Sequence, residues 1–187
     1  MRWFTTYSGY RWTPEKGYNE LFASYVTSIR EHFKMRKTNV PGVEKSTSGE
    51  WIPHVLQGRR VSVILDRFEW KHYIDDKIVF ALHLRVATKR NWLFRLFDRR
   101  TSPMNVIFDQ DVLVIFTDDF PSEPPKFKIL GDRYANINGY HEHHMFRGGV
   151  MCIMADSDDW DPDRDNILRA VNAALDWIVW HYYQWGF

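Results

Sequence analysis

The residues best suited to chemistry lie in one stretch of the C-terminal third. Cys152 is the chain's only cysteine. Gly148 and Gly149 precede it and permit an unusual backbone path. Three of the eight histidines, His141, His143 and His144, stand just upstream, and Asp156, Asp158, Asp159, Asp161, Asp163 and Asp165 follow within ten residues. A thiolate is the strongest nucleophile a protein side chain offers, and it exchanges acyl groups with other thioesters before yielding them to an amine. An imidazole can donate a hydrogen bond to a developing oxyanion or, when neutral, accept a proton. Aspartates close by can orient or desolvate an incoming lysine. A different chemistry is also open. His-x-His-His with an aspartate could ligate a metal for hydrolysis, although no His-Glu-x-x-His helix or Cys-x-x-Cys pair accompanies it. The plain structural reading is a small buried cysteine, ordinary loop histidines and a solvated acidic loop.

Two helices and a set of strands have to position this segment. From Asn19 the apolar residues Leu21, Phe22, Tyr25, Val26, Ile29 and Phe33 recur on one helix face, with Asn19 as the expected N-cap. A second helix is predicted over 166–185, its stripe running through Ile167, Val171, Ala174, Leu175, Ile178 and Tyr182, with Asp163 or Asp165 as cap. Four strands are predicted between them. Val61, Val63 and Leu65 alternate with their neighbours, although Ile64 breaks the pattern, and Ile78 to Val86 alternates more cleanly. Val112 to Phe116 is a continuous apolar run suited to a central strand covered on both faces, and Phe127 and Ile129 alternate with lysines. Residues 38–50 read as a loop and 1–18 as an irregular extension. The segment 89–100 carries five basic residues and one acid among apolar ones, a solvated loop or a docking surface for an acidic partner.

The whole fits one domain over 1–187, an α+β arrangement of N-terminal helix, four-stranded antiparallel meander, active-site segment and C-terminal helix. Charge is nearly balanced, 25 basic against 24 acidic side chains, so no nucleic-acid footprint is expected. A lone thiol suits a reducing compartment. With neither a signal-peptide core nor an apolar run of eighteen residues, the expected location is cytoplasmic, away from membranes.

The motifs also resemble a family. Phe120-Pro121-Ser122-Glu123-Pro124-Pro125 looks like the Tyr-Pro-x-x-Pro-Pro turn of ubiquitin-conjugating enzymes, and Gly149-x-x-Cys152 is similar to their Gly-x-Ile-Cys. Trp160 falls eight residues after the cysteine, as in that family, and Pro162 matches its Trp-x-Pro. The usual His-Pro-Asn is replaced by Glu142-His143-His144, and an insertion around Gly131 to Tyr140 precedes it. These departures resemble the divergent bacterial members, several of which sit in antiphage operons. The resemblance implies a UBC-like fold and a thioester on Cys152. His144 would stand in place of the oxyanion Asn, His143 and Asp156 beside it, and Gly149, Trp160, Pro162, Pro124 and Pro125 would shape the site. It further implies an activating enzyme docking on a first-helix surface of Arg30, Lys34 and Arg36. The acyl donor would be a ubiquitin-like protein or a nucleotide cyclase C-terminus, and neither a metal nor any other cofactor is implied. A catalytically inactive UBC-like binding module and a His/Asp metal hydrolase are the alternatives.

Overall fold

In the computed structural model the described residues are 16–39, 43–46, 51–74, 77–89, 104–117, 119–131, 134, 137, 141–154 and 160–186. Residues 1–15 of the predicted extension, most of the basic 89–100 segment, and Asp156, Asp158 and Asp159 lie outside them.

Helix α1 spans Lys16–His32. Phe22, Tyr25, Val26 and Ile29 form its buried stripe, with Phe33 just beyond its end. The helix begins three residues before Asn19, so Asn19 belongs to its first turns and does not cap it. Helix α2 spans Ile167–Trp185 and buries Ile167, Ala170, Val171, Ala174, Leu175, Trp177, Ile178, Val179 and His181. Its cap is Asn166, an extended residue (φ −126°, ψ 174°) whose side chain accepts from the N–H groups of Leu168 and Arg169 at 2.9 and 3.4 Å. Neither Asp163 nor Asp165 takes that place.

The expected four-stranded, UBC-like meander is not the architecture. Among the described residues the chain forms one nine-stranded antiparallel sheet and two α-helices. The strands are β1 (Met35–Lys37), β2 (Val43–Ser46), β3 (Ile52–Leu56), β4 (Arg59–Ile74), β5 (Lys77–Lys89), β6 (Met104–Phe116), β7 (Lys126–Leu130), β8 (Met145–Phe146) and β9 (Val150–Met151). Their order is β1-β2-β4-β5-β6-β7-β9-β8, and β3 also pairs with β4. Two things enlarge the sheet beyond expectation, longer strands and five strands that were not expected, β1, β2, β3, β8 and β9. First, β4, β5 and β6 run well past the alternating stretches; in β4, bulges between Leu65 and Arg67 and between Glu69 and His72 shift the side-chain phase without ending the strand. Second, β1 and β2 lie within or beside the segment read as a loop. The inward-facing residue of β2 is Glu44, 2% exposed, a charge where a strand pattern calls for an apolar side chain.

Glu44 is buriable because of Arg30 on α1. Nε of Arg30 donates to both carboxylate oxygens of Glu44 at 2.6 and 2.8 Å, and Nη2 donates to Oε1 as well. This fork ties the end of α1 to the edge of the sheet. The two helices and the strand residues Val63, Leu65, Leu82, Leu84, Val112, Val114 and Phe127 share one apolar core. On the opposite face Val79, Ala81 and Leu113 form a second buried cluster, so β6 is covered on both faces near its middle. No described helix is long and apolar enough to cross a membrane.

One part of the core reaches toward the cysteine. Phe120 packs against Phe116, Phe22 and Tyr25 with ring centroids 4.9, 6.0 and 5.9 Å away. The turn 120–125 is thereby held on aromatic rings of α1 and β6, which fixes the carbonyl that the next element binds.

Candidate functional site

Cys152 follows β9 directly and is half-buried. The β8–β9 hairpin sits at the sheet edge beyond β7, paired through Lys128 opposite Val150. Its position depends on Gly149, whose φ is +82°. A Cβ there would lie 3.0 Å from the Ile129 carbonyl oxygen, and the Gly149 carbonyl accepts the Ile129 N–H at 3.0 Å. Only a residue without a side chain lets the two backbones close to that spacing.

The hairpin base is closed by His144. Its carbonyl accepts the Cys152 N–H at 2.8 Å and the Trp177 indole N–H, from α2, also at 2.8 Å. The sequence assigned the chemistry of this residue to its imidazole. The structure links it to Cys152 through the backbone, while the exposed ring meets Trp180 edge-on at 5.1 Å. His144 holds φ at +47°, and Met154, two residues past the cysteine, holds +55°. His143, predicted beside the nucleophile, is half-buried and packs its ring 4.3 Å from Trp185 and 5.5 Å from His181.

Trp160 is buried, and its indole N–H donates to the Pro121 carbonyl at 2.8 Å. Pro125 is buried and Pro124 half-buried in the same turn. Residues nearly forty positions apart in sequence are therefore joined by a direct bond. Pro162 is exposed in the turn leading to α2. That turn is tied internally. The Asp161 N–H donates to the Asp165 carboxylate at 2.8 Å, and the Asp163 N–H donates to Oδ1 of Asp161 at 3.1 Å. Asp165 also pairs with Arg169, which holds its carboxyl below the ordinary value. The described part of the acidic run is thus a clamped approach to the helix. Asp156 itself lies outside the described residues.

Burial pushes the Cys152 thiol above its ordinary pKa. At neutral pH it rests as the thiol, and an acyl transfer would need its proton removed when a partner docks. Among the described residues no three His, Cys, Asp or Glu side chains are grouped to hold a metal, which leaves the hydrolase alternative without support there.

The predicted docking surface is also redrawn. Of its three cations only Arg30 lies on α1. Lys34 follows the helix at φ +53° and Arg36 is exposed on β1. Drawing Arg30 away to a partner would strand the buried Glu44, at a cost of about 3–5 kcal/mol. An exposed ion pair returns only about 0–1 kcal/mol. Arg30 is therefore structural, and Lys34 and Arg36 are the exposed members.

Sequence reading missed Trp177, Met154 and the Asp161–Asp165 clamp. The density of aromatics over 177–185 was the one available signal for Trp177. A positive φ at methionine has no sequence signature. A search of family models, of curated proteins and of solved structures found no match for this chain.

Proposed function

We propose that Cys152 is the acyl-carrying nucleophile of a transferase. Its thiolate sulfur attacks the carbonyl of a donor thioester. A new C–S bond forms as the donor's C–S bond breaks, and the donor thiol leaves with a proton. An amine of the acceptor then attacks, a C–N bond forms, and the Cys152 thiol is regenerated. The motif resemblance supports a ubiquitin-like protein or a cyclase C-terminus as donor, brought by an activating enzyme, with antiphage defence as the setting.

The observation that carries this reading is where backbone strain collects. Left-handed conformations at non-glycine residues cost free energy and persist where structure around them enforces them, chiefly at functional sites. Of the four such residues among those described, His144 and Met154 bracket Cys152. A cysteine that merely filled a core would need no such frame. The reading rests on this local frame and the motifs, and does not depend on the overall architecture.

The test is a thioester trap. Wild type and Cys152→Ser are co-expressed with their genomic neighbours and weighed intact, with and without reductant. The reading expects a reductant-sensitive adduct on wild type and a reductant-resistant one on the serine variant. A second reading, a binding module in which Cys152 is a packing residue, is favoured by the raised thiol pKa. It expects no adduct on either form while the neighbours are shown to be active.

A further inference from the structure

The sheet edge at β1 carries cations in an arrangement that the fold itself disfavours. Arg36 of β1 stands directly opposite Lys45 of β2, and Lys45 stands directly opposite Arg67 of β4. Three positive side chains thus form a row across three strands, on the face away from the buried Met35 and Glu44. Like charges directly opposite one another in a sheet are destabilising. Arg67 is compensated, with Glu69 at 3.3 Å and Asp111 at 3.2 Å. The one acid of β1 and β2, Glu44, is buried on the other face and engaged by Arg30. Arg36, Lys45 and the adjacent Lys37 are exposed and, among the described residues, form no ion pair.

The backbone beside them is open as well. β1 ends the strand order, so its outer side has no partner strand among the described residues. The Thr38 N–H donates to the Val43 carbonyl at 3.1 Å. Thr38/Val43 is therefore a hydrogen-bonded pair of the ladder, and so is Arg36/Lys45 two residues back. The N–H and C=O of Lys37, between them, point away from β2 at an exposed residue.

We propose that this edge takes an extended acidic segment of another protein as an added strand. The segment's backbone bonds to Lys37, and its carboxylates face Arg36 and Lys45 on one side of the sheet and the Lys37 ammonium on the other. The observations single out this occupant. A second copy of the chain would bring Arg36 and Lys37 against themselves, and short, lysine-bearing edges resist such pairing. Carboxylates reverse the sign of each of those contacts. Single-stranded nucleic acid needs aromatic rings on which its bases stack, and 35–38 and 43–46 carry none. An anionic membrane would engage the cations and leave the Lys37 backbone pair unused. The site is separate from Cys152 and does not rest on the transferase reading.

The experiment titrates the full chain with the synthetic peptide acetyl-Thr-Val-Glu-Glu-Val-Thr-amide, read by 1H–15N amide shifts and amide hydrogen exchange. Saturable shifts centred on β1 and β2 and slowed exchange at Lys37 are expected. Arg36→Gln and Lys45→Gln should each weaken binding about 2- to 5-fold, the return of one exposed ion pair. Neither should lower the melting temperature of the free protein, since each removes a like-charge contact. The same peptide N-methylated at both glutamates keeps its charge but cannot complete the two backbone bonds, and should bind about 5-fold more weakly or worse. No shifts, variants that bind as the parent does, or an N-methylated peptide that binds equally would overturn the proposal. So would tighter binding of an oligothymidylate or of phosphatidylserine vesicles with the Lys37 exchange rate unchanged.

Discussion

Replacing Gly149 and Gly148 by alanine, one at a time, separates two physical requirements that usually come together. Both residues hold positive φ, +82° and +80°. An L-residue there loses roughly 1–2 kcal/mol. Around Gly148 nothing lies within 4 Å of the added Cβ, so Gly148→Ala should cost about 1 kcal/mol and no more. At Gly149 the new Cβ meets the Ile129 oxygen at 3.0 Å, and that oxygen belongs to backbone locked between β6 and β9. Relief requires β9 to move off β7, which also stretches the 3.0 Å bond from the Ile129 N–H to the Gly149 carbonyl, worth about 0.5–1.5 kcal/mol. Gly149→Ala should therefore cost about 2–3 kcal/mol, at least twice its neighbour. Urea midpoints at unchanged m-value measure the pair. Because β9 leads directly into Cys152, the rate of native-state alkylation by iodoacetamide should rise in Gly149→Ala and stay level in Gly148→Ala. Equal stability costs for the two variants would refute the close-approach argument.

Two further outcomes follow from charges and caps. His83 on β5 lies between Asp111 and Asp109 of β6, each 2.9 Å from a ring nitrogen, and its pKa is raised chiefly by the hydrogen bond to Asp111. A raised histidine stabilises fully below its unfolded pKa and loses that contribution as pH climbs through the folded value. Asp111, lowered chiefly by His83, behaves oppositely and loses its contribution as pH falls through its own folded value. From the ordinary 6.5 up to the raised His83 value, wild type should therefore lose stability relative to His83→Gln, by urea midpoints across pH; a His83 NMR titration at or below 6.5 would contradict this. At α2, Asn166→Ala should cost about 1 kcal/mol and Asp163→Ala less than about 0.5 kcal/mol in thermal or urea unfolding, and the reverse ranking would restore Asp163 as the cap.

The strands that could be read were those with one uninterrupted phase. Ile78 to Val86 alternates cleanly because β5 keeps its pleat there, with its bulge only at Val86/Ala87. β4 could be read only as far as Leu65, since each bulge exchanges inward and outward positions and breaks the period on which the reading depends. β2 was invisible for another reason. Its buried position is a glutamate, tolerable only through an arginine fourteen residues upstream, and such a pairing is a tertiary fact. β8 and β9 have two residues each, too few for any periodicity. Around Asn166 the difficulty was surplus. Four residues able to cap crowd positions 161–166, and the choice falls to Asn166 once Asp161 and Asp165 are engaged with each other.

The same division runs through the site. Gly149 and Trp160, singled out by motif, have structural places that explain their identity, a close backbone approach that leaves no room for a side chain and an indole donor that meets the Pro121 carbonyl. His144 was read by its ring, yet what it gives the cysteine is a carbonyl, held at a φ of +47° and shared with Trp177. Histidine and asparagine are both enriched among the non-glycine residues that tolerate positive φ. A His144→Asn substitution should therefore keep the backbone conformation on which the Cys152 N–H bond depends, whatever becomes of the side chain. The imidazole is then free to face Trp180 at the surface, so its presence is a weaker sign of catalysis than the angle of the backbone that carries it.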